Sequence, residues 1–345
     1  MYRRLVAWLL ISIFAISTAQ SRAYSQDHTL LGIERSRFTI DGKPTFLLGI
    51  SYYGALGAPR EVWLQDLKQM KGLGFNWIRI WANWAAFDQK AYAVDAEGNP
   101  WEQGMLKLRE IVSWCDAHGM IVDITLSRGN GVTGPRRLQS LESHLRAVRC
   151  LVNHLKDYKN WYLDLANERN IQDSRFTPIE DLVVLRREVR TLDPGRLVTA
   201  SHAGDISRDT LIEYVVQVGL DFISPHRPRS ARSAQETEAK TREYLENLKK
   251  IGKVVPVHYQ EPFRRDFKES WQPTAKDFLT DLEGAFRGGA AGWCFHNGDN
   301  RAARDGRPRR SFDLRDGPLF AQLDAEEKAA LELITQFSNA NLSKK

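Results

Sequence analysis

From about residue 37 the chain repeats one pattern: a short apolar run, a polar loop, then a longer stretch whose apolar residues return at helical spacing. Arg37–Phe46 alternates on either side of Asp41-Gly42-Lys43-Pro44, which predicts a hairpin whose second arm runs toward the first long strand. The short runs are continuous and rich in β-branched and aromatic residues, as strands buried on both faces must be. They are Phe46–Tyr52, Phe75–Trp81, Met120–Leu126, Trp161–Ala166, Arg196–Ser201, Asp221–Pro225, Val254–Tyr259 and Ala290–Phe295. Helices are predicted between them at Arg60–Leu73, Gln103–His118, Leu138–Tyr158, Pro178–Leu192, Ala234–Ile251, Thr274–Arg287 and Ala325–Phe337. Gly72, Gly74, Gly119 and Gly252 fall at or just past helix ends, and Asp193-Pro194-Gly195 stops another helix.

Eight strand–helix units over about 300 residues predict a parallel sheet closed into a (β/α)8 TIM barrel, an α/β fold with a short N-terminal β-hairpin. A doubly wound open sheet is the rival; it would carry a glycine-rich phosphate loop after the first strand, and Gly49-Ile50-Ser51-Tyr52 is not one. No Pro/Gly/Ser-rich linker or charge block divides the 345 residues, so residues 24–345 are expected to form one domain.

The first 23 residues are set apart. Arg3 and Arg4 precede the apolar run Leu5–Ala15, and small residues follow at Ser17, Ala19, Ser21 and Ala23. This is the pattern of a signal peptide, the run being short of the ~20 residues a spanning helix needs. A secreted or periplasmic protein, not held in a membrane after cleavage, is therefore expected.

Charge adds little. The formal net charge is +6, and losing residues 1–23 removes three arginines and no acid, leaving +3. The basic clusters, such as Arg307-Pro308-Arg309-Arg310, are short and interleaved with acids, which excludes a nucleic-acid partner as the main expectation. The three cysteines, Cys115, Cys150 and Cys294, form neither a disulfide framework nor a zinc motif; Cys115 and Cys150, on consecutive helices, either pair or remain buried thiols. A monomer is expected.

In a barrel of this kind reactive groups gather at the C-terminal strand ends. Two of those ends carry a carboxylate, in Asn167-Glu168-Arg169 after the fourth strand and Gln260-Glu261 after the seventh. Each taken alone is equally well a salt-bridge partner of a neighbouring arginine, Arg169 or Arg264. Together, among aromatic and histidine side chains, they fit glycoside hydrolysis, which needs one carboxylic acid to protonate a poor leaving group and a carboxylate to meet the oxocarbenium-like centre. Tyr52, Trp81 and Trp84 are placed to lie against sugar faces.

The residues also resemble a family. Phe38-Thr39-Ile40-Asp41-Gly42-Lys43-Pro44 leading to Leu47–Tyr53, then Gly74-Phe75-Asn76-Trp77-Ile78-Arg79-Ile80, Leu165-Ala166-Asn167-Glu168 and Val255–Glu261, are similar to the corresponding segments of glycoside hydrolase clan A, cellulase-like family 5 in particular. The resemblance implies a retaining glycosidase, acting on β-linked sugars, with Glu168 as acid/base and Glu261 as nucleophile. It further implies that Asn167 binds a sugar hydroxyl, that Arg79 keeps the nucleophile ionised, that His226 is the strand-six histidine, and that Trp293 or His296 fills the strand-eight platform position. The chain departs from the pattern at strand six, where Pro225-His226-Arg227 lacks the tyrosine that would face the nucleophile; Tyr259 or Tyr52 would stand in for it. An oligo- or polysaccharide substrate and no metal or organic cofactor follow. Two other readings are a non-catalytic glycan-binding barrel and a metal-dependent hydrolase built on His202, His226, His258 and His296.

Overall fold

The computed structural model describes residues 28–83, 91–129, 136–267, 270–298 and 312–342. The expected signal peptide lies outside the described residues, as do Trp84 and most of the segment 297–315. The chain opens with β1 (Leu31–Glu34), β2 (Arg37–Ile40) and β3 (Lys43–Thr45), an antiparallel three-stranded sheet. The Asp41-Gly42 turn between β2 and β3 has positive φ at both residues (53° and 75°), the backbone a two-residue hairpin needs to match strand twist. The hairpin is as predicted; β1, its third strand, is additional.

The barrel strands follow in order: β4 (Leu47–Ser51), β5 (Trp77–Trp81), β6 (Ile121–Thr125), β7 (Trp161–Asp164), β8 (Val198–Thr199) continued as β9 (Ser201–Ala203), β10 (Ser224–His226), β11 (His258–Tyr259) and β12 (Gly292–Phe295). Neighbours pair in parallel around the ring, β12 pairing back onto β4. The remaining gap is closed by a parallel bridge between Ile223 and Val257, with Ile223 N–H donating to Pro256 O (3.0 Å) and His258 N–H to Ile223 O (2.9 Å). The fold is a (β/α)8 barrel. β11 is shorter than its apolar run because Pro256 has no N–H to give and Val254 is exposed.

The outer layer comprises α1 (Arg60–Gly72), α2 (Glu102–Ala117), α3 (Leu141–Leu155), α4 (Ile179–Leu192), α5 (Arg208–Ile212), α6 (Ser233–Ile251), α7 (Ala275–Gly288), the short α8 (Leu319–Gln322) and α9 (Ala325–Asn341). α3 begins three residues later than predicted because Ser140 caps it, accepting from Ser143 N–H at 3.1 Å. α5, which the sequence pattern does not announce, runs on through Glu213–Val218 as a wider turn.

Side chains on each strand alternate between two environments. Leu47, Trp77, Ile121, Tyr162, Phe222 and Cys294 fill the barrel interior, and Phe38 of β2 plugs its floor, edge-on to Phe222 and His258 (ring centroids 5.0 and 5.3 Å). The alternate positions face the helices. Gly49 points inward, where a Cβ would lie 1.5 Å from the Trp77 ring, so this inner position admits no side chain. Facing outward, Tyr52 donates to Asp66 of α1 (2.7 Å), Trp293 Nε1 to Asp281 of α7 (2.7 Å), and the Tyr259 hydroxyl meets Thr241 of α6 (2.7 Å). The three cysteines are free: Cys115 and Cys294 are buried, and Cys150 Sγ reaches Gly98 O.

Candidate active site

The inward positions near the C-terminal rim are polar and converge on Arg79 of β5. This fully buried guanidinium donates to Glu261 Oε2 (2.7 Å), Asp164 Oδ2 (2.9 Å), Asn167 Oδ1 (2.9 Å), Thr125 Oγ1 (3.1 Å) and the Tyr53 hydroxyl (3.4 Å), and its Nε pairs with Asp123 Oδ2 (3.1 Å). Burial works against its charge, but Tyr53, Asp123, Glu261 and Asp164 outweigh that and hold it protonated. Asp123 lies deeper, bonded also to Gln260 Nε2 (2.7 Å) and the Tyr162 hydroxyl (3.1 Å); burial and the charge of Asp164, against the pull of Arg79, push it up to about 7.

Glu261 follows β11 at the rim. Its Oε1 accepts from Arg229 Nη2 (3.1 Å), with His296 Nε2 at 3.7 Å, and His226 Nδ1 stands 3.5 Å from the Oε2 that Arg79 holds. Burial opposes its charge; His226, His296, Arg229 and Arg79 together overcome this and keep the carboxyl well below the usual range. Glu168 follows β7 with φ at +47°, a left-handed conformation that costs a non-glycine residue about 1 kcal/mol or more. Its N–H bonds Ser201 Oγ (3.0 Å), fixing the turn. Its carboxylate accepts from Arg175 Nη1 (2.9 Å) and His226 Nδ1 (3.4 Å), with Arg229 at 3.9 Å. Burial and Glu261 push this carboxyl up, but the His226 bond and the nearby positive charge leave it lowered.

One oxygen of Glu168, one of Glu261 and a ring nitrogen of His226 all lie within 4.8 Å of one another. They face a cavity of about 310 Å³ whose wall includes Arg175, Arg229, Arg264 and Phe267. Such a triad also has donors for a cation, yet Arg79, Arg175 and Arg229 already engage the same two carboxylates at 2.7–3.1 Å and would repel one. The arrangement is a neutralised carboxylate pair, suited to proton transfer and nucleophilic attack across a gap.

The residues singled out in the sequence divide by strand face. Glu168, Glu261, Arg79, Asn167, His226 and His296 come together. Trp81 faces inward but is buried, stacked on Tyr53 at 4.1 Å. Tyr52, Tyr259 and Trp293 do not reach the site: each sits one residue out of phase with the inner face and is bonded to a helix instead. Of the four histidines on which the alternative metal-dependent reading stood, His202 is spent on Tyr214 and Asn170, and His258 lies in the barrel floor against Tyr162 and Phe38, so the four do not converge. Neither local arginine pairs with the glutamates: Arg169 lies over Phe176 and Tyr214, and Arg264 over Phe267. Arg175 and Arg229 take that role, and the sequence pattern passes over them because both stand on loops. Tyr53 could have been found, since counting in twos from Gly49 and Ser51 puts it on the inner face.

No family model matches the chain, and no curated protein matches it. Solved structures do. An endo-1,4-beta-mannanase from Rhizomucor miehei is 13% identical, with 91% of this chain and 100% of that one covered at a TM-score of 0.65. A glycoside hydrolase family 5 mannosidase from the same organism is 14% identical over 92% and 98%, TM-score 0.61. An endo-beta-1,4-mannanase from Thermotoga petrophila is 16% identical over 88% and 79%, TM-score 0.57. At these identities the likeness is one of fold.

Proposed function

We propose that this protein is a retaining glycoside hydrolase of β-linked sugars, with Glu261 as nucleophile and Glu168 as acid/base. The observation that carries the reading is the meeting of the two carboxylates in one cavity, within 4.8 Å, with Arg79 beneath Glu261. Retaining enzymes hold the pair about 5 Å apart, whereas inverting ones leave a wider gap for water. Glu261, kept ionised, attacks the anomeric carbon as the glycosidic C–O bond breaks and Glu168 passes its proton to the leaving oxygen. Glu168 then takes a proton from water, whose oxygen displaces Glu261 and releases the sugar. Asn167, oriented by Arg79, supports a hydrogen bond to the bound ring, and Tyr53 shares the Arg79 Nη1 with the nucleophile. No step calls for a metal. The leader-like residues 1–23 support export, to the periplasm or beyond.

The similar structures named as mannanases and mannosidases make β-mannosides the first substrates to try, beside β-glucans and aryl glycosides. Glu168→Gln and Glu261→Gln are expected to abolish turnover with unchanged thermal unfolding, and the first-formed product to keep its anomeric configuration by NMR. Full hydrolysis by either variant, an inverted product, or loss of activity on chelation overturns the assignment.

A further inference from the structure

The cavity around Glu168 and Glu261 is walled by guanidinium groups where a site for neutral sugars would present aromatic faces. Tyr52, Tyr259 and Trp293 point into the helix layer, and Trp81 lies buried under Tyr53. Phe267 is the one aromatic residue on the cavity wall among the described residues, and Arg229 and Arg264 stand over its ring at 4.4 and 5.5 Å. The arginines are not equivalent. Arg227 is committed to Asp205, Ser233 O and Thr237, and Arg175 is clamped by Asp173 while its Nη1 holds Glu168. Arg229 gives Nη2 to Glu261, and its Nε and Nη1 have no partner among the described residues. Both two-bond edges of a guanidinium include Nη2, so an oxyanion reaching Arg229, which lines the cavity against the Phe267 ring, would take the second hydrogen of Nη2 together with that of Nε or Nη1, in competition with Glu261.

We propose that the sugar held against Glu168 and Glu261 carries an anionic group, a carboxylate or a sulfate ester, and that Arg229 is its receptor. This rests on the hydrolase reading and names its substrate class. The proposal also resolves a tension in the resting site, where positive neighbours keep Glu168 ionised although its first task is to donate a proton. An arriving anion draws Arg229 onto itself and adds a negative charge nearby; both changes favour the protonated form of Glu168. A neutral sugar does neither.

The test uses β-1,4-linked oligomannuronate and oligomannose, identical in linkage and differing at C6, together with 4-nitrophenyl β-D-glucuronide, the 6-sulfated glucoside and the plain glucoside. Wild type is expected to prefer the anionic member of each pair by at least tenfold in kcat/KM. Arg229→Gln should cut that preference by roughly 10- to 100-fold, the range expected for a lost charge-assisted hydrogen bond. Arg232→Gln, which removes an equal charge from an exposed side chain outside the cavity, should leave it intact. Faster turnover of the uronide or of the sulfated sugar identifies which anion is meant. Equal rates on neutral and anionic substrates, or a preference untouched by Arg229→Gln, overturn the inference and leave the hydrolase reading standing. Calorimetric binding of oligomannuronate that Arg229→Gln weakens, with no turnover of any substrate, overturns the hydrolase reading and sustains the receptor. Equal or absent binding of the two oligomers, without turnover, overturns both.

Discussion

Tyr52 and Tyr53 are adjacent in the chain and their hydroxyls lie on opposite sides of the barrel wall: Tyr53 meets Arg79 Nη1 at 3.4 Å, and Tyr52 donates to Asp66 of α1 at 2.7 Å. The same substitution should therefore have opposite consequences. Tyr53→Phe is expected to lower kcat about tenfold with little change in thermal unfolding. Tyr52→Phe should leave kcat unchanged and cost about 1–2 kcal/mol of stability, the cost of removing one partner from a buried hydrogen bond. Kinetics and melting of the two variants, measured side by side, check the assignment; matching effects would refute it.

Among the described residues Arg79 is the only cation paired with Asp123 and Asp164, and it also holds Glu261. Lysine keeps the charge and loses the planar fan that serves several acceptors at once. Arg79→Lys is expected to lower kcat/KM by at least 100-fold and stability by about 1–3 kcal/mol, as buried acceptors lose their donor while the charge stays. Retention of both would mean that the network is not what holds the nucleophile.

The pH dependence of activity follows from Glu168. As general acid it must be protonated, and its carboxyl is lowered from the ordinary 4.5. On neutral substrates kcat/KM should then fall as pH rises through that lowered value, giving an acidic optimum. Arg175 stands 2.9 Å from Glu168 and favours its ionised form. Arg175→Gln should move the descending limb to higher pH. A limb that stays in place, or moves down, would remove Arg175 from this role.

Stability has a pH dependence of its own, away from the site. Glu327, in the first turn of α9, accepts from the N–H of the capping residue Asp324 at 3.1 Å and from Gly298 N–H at 3.3 Å, and burial pushes its carboxyl up to about 7. Between about 4.5 and 7 the folded chain keeps a proton that the unfolded chain has released, so stability falls as pH rises across that window and is level above it. The full effect is on the order of 3 kcal/mol, at 1.36 kcal/mol per unit. Asp123, raised to about 7, and Asp281, raised to about 6, act in the same direction, so the measurement is a difference. Melting temperatures from pH 5 to 8 should drop less in Glu327→Gln than in wild type; parallel curves would show that Glu327 does not titrate there.

The order of apolar runs determined the barrel, because a strand buried on both faces needs a continuous apolar stretch whatever its partners are. The two glutamates and Arg79 were legible for a related reason: charged residues at the ends of apolar strands are costly unless they are used. What the tertiary structure decided was the direction and company of each side chain. By position Tyr52 and Trp293 look like sugar platforms and Tyr259 like a tyrosine for the nucleophile, and a shift of one residue in strand phase sends all three to the helices. Arg175 and Arg229 lie on loops with no periodicity to read, and only closure of the sheet brings them to the glutamates. Local pattern is set by which residues must leave water; the charge environment of a site is set by long-range packing, which no local stretch of sequence contains.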